Sequence, residues 1–306
     1  WVIILKRMYH NPVLLHSSVD GLSIKADGVY VDVTYGGGGH SKEILKRLGS
    51  KGKLIAFDQD KDAIANKLDD ERLILVNQNF KYLKNYLRYY KIEKVDGILA
   101  DLGVSSHQFD KTERGFTFRE DSLLDMRMSQ KAELSALNVI NEYGEEKLVK
   151  IFKEYGELRE GKLIARKIIE QRSLNKIETS KQLVDMLTPM AKRNEEHKFF
   201  AKVFQALRIE VNDEIQVLAE LLKNSLDVLK IGGRMSVISY HSLEDRLVKN
   251  FFRSGNVEGK IDKDIKGNFY EPFKQITRKP MVPDEKEIKI NNRARSAKLR
   301  IAERKE

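Results

Sequence analysis

The strongest chemical signal in the chain is the run Val31-Asp32-Val33-Thr34-Tyr35-Gly36-Gly37-Gly38-Gly39-His40-Ser41. An apolar stretch leads into four glycines and then into a helical pattern. Glycine takes positive φ without strain and lets the backbone approach a ligand, while a helix N-terminus offers unpaired N–H groups to it. A plain turn needs no such run, because each glycine costs ordering entropy. The spacing is not a clean G-x-G-x-x-G, since Ser41 stands at the last position. Beyond the next apolar run comes Phe57-Asp58-Gln59-Asp60. A carboxylate about twenty residues past such a loop can accept hydrogen bonds from both ribose hydroxyls of an adenosine ligand. NAD and S-adenosylmethionine both carry that ribose, so Asp58 alone does not choose between them. Its plain alternative is a solvated acid at a strand end.

Two more segments fall at strand ends. Asp101-Leu102-Gly103-Val104-Ser105-Ser106-His107-Gln108 closes the fourth apolar run. In an open α/β sheet the strand ends form the ligand crevice, so Asp101 should face cofactor and substrate there. Capping the next turn is its structural alternative. His241-Ser242-Leu243-Glu244-Asp245-Arg246 follows the fifth run and reaches the same edge. There His241 is a candidate contact for the substrate and Arg246 for a phosphate. The same run also reads as a helix start, with Ser242 as N-cap and Asp245 at its third position.

The elements that position these residues follow from apolar patterning. Strands are expected at 29–33, 53–57, 73–76, 96–101 and 235–240, each continuous rather than alternating, as in parallel strands buried on both faces. Helical patterns at 41–48, 61–68 and 82–90 separate the first four, which is the βαβ rhythm of a doubly wound sheet. The rhythm then stops. Helical stretches at 145–154, 162–171, 180–191 and 200–229 fill the interval up to 235 without a strand, the last pausing at Asn212-Asp213. An all-helical domain inserted after the fourth strand accounts for them. Near the end, 273–277 and 297–302 read as two strands able to pair beside the sheet, a better fit to a methyltransferase than to a dehydrogenase.

Composition narrows the classes. At 306 residues with 41% hydrophobic content, two domains are the natural expectation. No apolar run approaches the roughly 20 residues of a membrane-spanning helix, and the opening residues lack the pattern of a secretory signal, so a cytoplasmic protein without a membrane partner is expected. Zero cysteines exclude disulfides, thiolate nucleophiles and Cys-ligated metals. The six histidines lie far apart, with no helical metal-site spacing, so no metal is expected. The formal charge of +10 favours a polyanionic partner.

Taken together, these segments closely resemble the ribosomal RNA small-subunit methyltransferase H family, also called MraW. The shared strings run in order along nearly the whole chain. They include Tyr9-His10-Asn11-Pro12-Val13-Leu14-Leu15, the Gly-Gly-Gly-His loop and Asp101 to Ser106. Further on stand Arg114-Gly115-Phe116-Thr117-Phe118, Leu124-Asp125-Met126-Arg127-Met128 and Phe204-Gln205-Ala206-Leu207-Arg208-Ile209. The last are Ser239-Tyr240-His241-Ser242-Leu243-Glu244-Asp245-Arg246 and Arg293-Ala294-Arg295-Ser296. The resemblance implies a class I S-adenosylmethionine-dependent methyltransferase fold: a Rossmann-like, mostly parallel sheet with a C-terminal antiparallel hairpin and an inserted all-helical domain. The cofactor domain would cover 8–106 and 208–306, the insertion 107–207 would recognise substrate, and 1–7 would be an extension without function. Gly38, Gly39, His40, Asp58, Phe80, Asp101 and Gln108 would line the S-adenosylmethionine site. Phe80 would pack on the adenine, unless it is a core residue introducing the next helix. The implied reaction is methylation of N4 of a cytidine in the decoding region of small-subunit (16S) ribosomal RNA. The chain departs from the family pattern at His107, at Ser122-Leu123 and at Asn291-Asn292, where the family carries prolines; these positions concern loop shape.

For that chemistry, a hydrogen-bond acceptor on the cytosine N–H would help a poorly nucleophilic amine and stabilise its developing charge. Asp101 is the first candidate, either as this acceptor or as a cofactor anchor. Phosphate contacts are expected from the tail, where eleven Lys/Arg face five Asp/Glu between 274 and 306. Three rivals stay open: an NAD dehydrogenase, a methyltransferase for DNA or protein, and a non-catalytic assembly factor with a retained cofactor fold.

Overall fold

Alternation along the strands decides how the first part of the chain folds. Tyr30, Leu54, Ala56 and Leu99 enter one apolar cluster, while Val31, Ile55, Phe57, Ile98 and Ala100 enter another. Strands without a polar face need helices on both sides, which is the doubly wound solution. The computed structural model describes residues 12–261, 263 and 270–305, the side chains of Ser106 and His107 excepted. The expected extension at 1–7, and Tyr9, His10 and Asn11 of the first shared string, lie outside the described residues.

In chain order the elements are α1 (Leu15–Gly21), β1 (Val29–Asp32), α2 (Gly39–Arg47), β2 (Lys53–Phe57), α3 (Lys61–Ile64), β3 (Leu73–Val76), α4 (Leu83–Tyr89) and β4 (Val95–Asp101). Then come α5 (Ser106–Asp110), α6 (Ala136–Glu142), α7 (Glu145–Glu154), α8 (Gly161–Leu174), α9 (Ser180–Leu187), α10 (Glu196–Asn212) and α11 (Glu214–Val228). The chain closes with β5 (Leu229–Ser239), α12 (Ser242–Ser254), β6 (Phe273–Gln275), α13 (Glu285–Ile290) and β7 (Lys298–Arg304). They form two compact units: one ends at Gly103 and resumes at Val217, the other spans Val104–Gln216.

The first unit holds a seven-stranded sheet of order β3-β2-β1-β4-β5-β7-β6. The five N-terminal strands are parallel, and β7 runs antiparallel to both β5 and β6. This is the mostly parallel sheet with an antiparallel C-terminal pair that the sequence predicts. The pair is no tight hairpin, however, because α13 lies between β6 and β7. Strand order reverses between β1 and β4, where ligands of such sheets bind.

Two elements differ from expectation for visible reasons. β5 begins at Leu229 rather than 235, since Leu229 pairs with Val95 before the register shifts around Gly232-Gly233 to Gly97 against Arg234. α3 stops at Ile64 rather than 68. The Tyr35 hydroxyl donates to Asn66 O at 2.9 Å and accepts from Leu68 N–H at 3.0 Å, taking the donor that would have bonded back to Ile64.

The second unit is helical, as expected, around a core including Leu148, Phe152, Ile164, Ile168, Val203 and Phe204. Asp213, left-handed at φ 52°, ends α10 and gives the break foreseen at Asn212-Asp213. Two shared strings have structural work here. Buried Arg114 donates to the carbonyls of Arg127 and Met128, and Asn212 holds Met126 O and Met128 N–H. Among the described residues, no helix is long and apolar enough to cross a membrane.

Candidate active site

Asp32, the last residue of β1, organises the glycine loop from below. It is fully buried; Oδ1 accepts from Thr34 N–H at 3.1 Å and from the Thr34 hydroxyl, and Oδ2 from the Ser41 hydroxyl at 2.7 Å. Thr34 Oγ1 also accepts the Asp101 N–H at 2.7 Å, so one hydroxyl ties the ends of β1 and β4 together. Three of the four glycines then divide by role. Gly36 (φ +51°) faces open space: a Cβ there would have only Thr34 O nearby, at 3.9 Å. At Gly38 (φ +74°) a Cβ would sit 2.7 Å from the Tyr35 hydroxyl, and at Gly39 it would strike the Pro12 ring. The missing Cβ at Gly38 and Gly39 therefore makes room for the protein's own side chains, and the side open to a ligand is that of Gly36.

Asp58 follows β2 and grips the same loop. Its Oδ2 accepts from Gly36 N–H at 2.8 Å and its Oδ1 from Asp60 N–H at 2.8 Å. Burial pushes its carboxyl up to about 6, helped by the Asp60 and Asp32 carboxylates and opposed by these two N–H groups. Each oxygen retains a second lone pair for a ribose hydroxyl. Phe80, in a 3-10 turn after β3, is half-buried against the core, so its packing role is real whatever else it touches.

Asp101 ends β4, with its side chain 22% exposed. The Tyr240 hydroxyl donates to Oδ1 at 2.7 Å, and His40 Nδ1 lies 3.7 Å from Oδ2. His40 is held by its other nitrogen, Nε2, which donates to Val13 O at 3.1 Å. Burial again pushes the Asp101 carboxyl up to about 6; His40 and Tyr240 pull down, while Asp32 and Glu244 push up. The Tyr240 hydroxyl is in turn raised well above its ordinary value by burial and by Asp101. Asp32 is likewise raised, mainly by burial.

His241 is reached through the backbone. It is itself the N-cap of α12, accepting Glu244 N–H at Nδ1 at 3.4 Å, while Glu244 Oε2 accepts Tyr240 N–H at 2.8 Å and His241 N–H at 3.3 Å. This corrects the expected cap by one residue: not Ser242 with Asp245, but His241 with Glu244. Asp245 is engaged elsewhere, held by buried Arg300 at 2.7 and 3.2 Å. His241 Nε2 is buried without a hydrogen-bond partner among the described residues, 3.2 Å from Glu244 Oε1 in unsuitable geometry.

The first unit thus brings Gly38, Gly39, His40, Asp58, Asp101 and His241 to the strand ends. Gln108 belongs to the second unit, where it is buried and its Oε1 accepts Ser105 N–H at 3.2 Å. Sequence reasoning passed over Asp32, Thr34, Tyr240 and Glu244. Asp32, Tyr240 and Glu244 stand beside residues already singled out, and the signal available for Asp32 and Glu244 was an acid at a strand end or helix start. The basic tail is partly committed: Lys298 and Arg300 face Asp245, Arg304 donates to Leu226 O, and Lys305 pairs with Glu271.

Known proteins share this chain almost end to end. The family model for the MraW methylase family matches residues 7–305. A ribosomal RNA small subunit methyltransferase H from Flavobacterium johnsoniae is 60% identical over 296 residues, covering 97% of this chain and 98% of its own. Proteins of the same name from Christiangramia forsetii and Bacteroides thetaiotaomicron are 59% and 54% identical, covering 96% and 97% of this chain and 97% and 98% of theirs. With a family match and identities of this extent, the chain belongs to the MraW methylase family.

Proposed function

We propose that this chain transfers the methyl group of S-adenosylmethionine to N4 of a cytidine in the decoding region of small-subunit ribosomal RNA, working in the cytoplasm with its ribosomal substrate. The observation that carries the reading is the set of three carboxylates, Asp32, Asp58 and Asp101, around the glycine loop at the reversal of strand order. Clustered carboxylates, where ionised, repel the pyrophosphate of a dinucleotide and favour a cationic ligand. That argues for a sulfonium and against NAD.

Asp58 would hold the ribose, Gly36 to His40 the amino-acid end, and Phe80 the adenine face. Bound there, S-adenosylmethionine supplies a methyl group already activated on sulfonium sulfur. What the chain adds is positioning and a proton acceptor. Asp101, ionised above about pH 6, accepts a hydrogen bond from the N4 amine and takes its proton as the nitrogen gains the methyl. Tyr240 fixes Asp101 Oδ1, leaving Oδ2 for the amine. His241, the N-cap of α12 next to Tyr240, is the candidate contact for the base or its ribose. The helical unit, residues 107–207 in this reading, recognises the RNA, whose cytosine must be splayed out to react.

The test is Asp101→Ala, assayed for transfer to small-subunit RNA and for S-adenosylhomocysteine affinity by calorimetry. Lost transfer with affinity within a few-fold of wild type supports the acceptor role. Parallel loss of both makes Asp101 a cofactor anchor instead.

A further inference from the structure

Helix α4 buries Leu83 and Leu87 and turns a basic face outward. Lys81, Lys84, Arg88 and Lys91 recur at three- and four-residue spacing and so line one side of the helix and its flanking turns. Facing them, Asn224, Asp227 and Val228 of α11 close the other wall of a groove of about 750 Å³. Four cations line this groove against two carboxylates, Glu93 and Asp227. Lys84 pairs with Asp227 at 2.6 Å, and Lys94 Nζ donates to Asp227 O at 2.6 Å, bringing in a fifth cation. Among the described residues, Lys81, Arg88 and Lys91 have no carboxylate within ion-pair distance. All three are exposed, and no carboxylate neutralises their charge among the described residues. Like charges left unneutralised along one groove gain most when a polyanion neutralises them.

Aromatic rings complete the pattern. Tyr82 and Tyr89, seven residues apart, are 42% and 75% exposed, and Lys81 Nζ lies 5.1 Å from the Tyr82 ring centre. Neither ring lines the groove, but exposed aromatics on the same helix and its leading turn offer the stacking surface that single-stranded nucleic-acid sites use. Lys81 directly follows Phe80, so the groove begins at the edge of the proposed cofactor crevice.

We infer that the groove between α4 and the end of α11 is a second RNA contact, gripping the sugar–phosphate backbone of a substrate segment away from the methylated base while flanking bases stack on Tyr82 and Tyr89. This rests on the RNA-methyltransferase reading and deepens it by adding a surface outside the strand-end crevice and the basic tail.

The experiment compares wild type with the triple variant Lys81→Gln/Arg88→Gln/Lys91→Gln, checked for an unchanged melting temperature. Binding to fluorescent small-subunit RNA and to assembled small subunits is measured across a salt series, beside methyl transfer at saturating substrate and S-adenosylhomocysteine affinity. Loss of three single-strand phosphate contacts flattens the log–log salt slope by about 2 and weakens RNA binding roughly tenfold or more near physiological salt. Cofactor affinity and saturated turnover stay as in wild type. Unchanged RNA affinity and slope in the variant overturn the inference and leave the groove a solvated face. Weaker binding to subunits with unchanged binding to naked RNA also overturns it, assigning the groove to a protein. Wild-type enzyme that methylates no RNA sinks the underlying functional reading instead, a result visible without the variant.

Discussion

Removing one hydroxyl, in Tyr240→Phe, separates the chemistry at Asp101 from its scaffolding. The Tyr240 hydroxyl donates to Asp101 Oδ1 at 2.7 Å, a hydrogen bond to a group that must be ionised to accept from the amine. Such bonds are worth about 1.5–3 kcal/mol, and each 1.36 kcal/mol of preference for the ionised form is about one pH unit. Burial already holds the Asp101 carboxyl up to about 6, with Tyr240 pulling against it. Losing that pull raises the carboxyl further. The acid limb of kcat/KM then moves about one pH unit or more toward alkaline pH. At pH 6 the variant falls roughly tenfold below wild type, and the two converge by pH 9. The assay is methyl transfer to small-subunit RNA at limiting substrate across pH, with S-adenosylhomocysteine affinity as control. A uniform drop at every pH would refute the reasoning, for it would mean that the hydroxyl serves something other than Asp101 ionisation. An unmoved profile at full activity would remove Asp101 ionisation from the acid limb altogether.

Other perturbations probe different parts of the account. Asp101→Asn should raise the melting temperature of free enzyme by several degrees at pH 8 and by clearly less near pH 4.5, read by scanning calorimetry. The folded carboxyl titrates near 6, above its ordinary value of 3.8, so wild-type stability is complete at low pH and is lost as pH rises through that window, by at most about 3 kcal/mol. Gly38→Ala forces a Cβ to within 2.7 Å of the Tyr35 hydroxyl at φ +74°, and should cost about 1–3 kcal/mol in denaturant unfolding. Asp58→Ala frees the Gly36 and Asp60 N–H groups and should weaken S-adenosylhomocysteine binding about tenfold or more, by titration calorimetry. Arg300→Ala leaves the half-buried Asp245 carboxylate with Lys298 alone, with an expected loss of about 1.5–3 kcal/mol in urea melts at pH 7.

Much of the fold was legible because its signals are local. Continuous apolar runs marked β1 to β4, and an interval of helical periodicity without strands marked the insertion. Where long-range contacts decided, sequence was silent. Nothing near Lys61 announces that the Tyr35 hydroxyl will intercept Leu68 N–H and shorten α3. Nor does the run after Ser239 reveal that Arg300, 55 residues beyond Asp245, will claim its carboxylate and leave the cap to His241 and Glu244. The acids at strand ends could be named from the sequence, but their coupling could not. Thr34 joins Asp32 to the Asp101 backbone, and Tyr240 reaches Asp101 across 139 residues. The glycines were noticed for a ligand, yet Gly38 and Gly39 answer to Tyr35 and Pro12, contacts that no spacing rule contains.

The central claim is most directly tested by transfer of labelled methyl from S-adenosylmethionine to small ribosomal subunits lacking the modification, followed by nucleoside digestion, with free RNA, large subunits and DNA alongside. Label recovered as N4-methylcytidine from small-subunit RNA alone is the predicted result. Cofactor binding without label on any nucleic acid would contradict it.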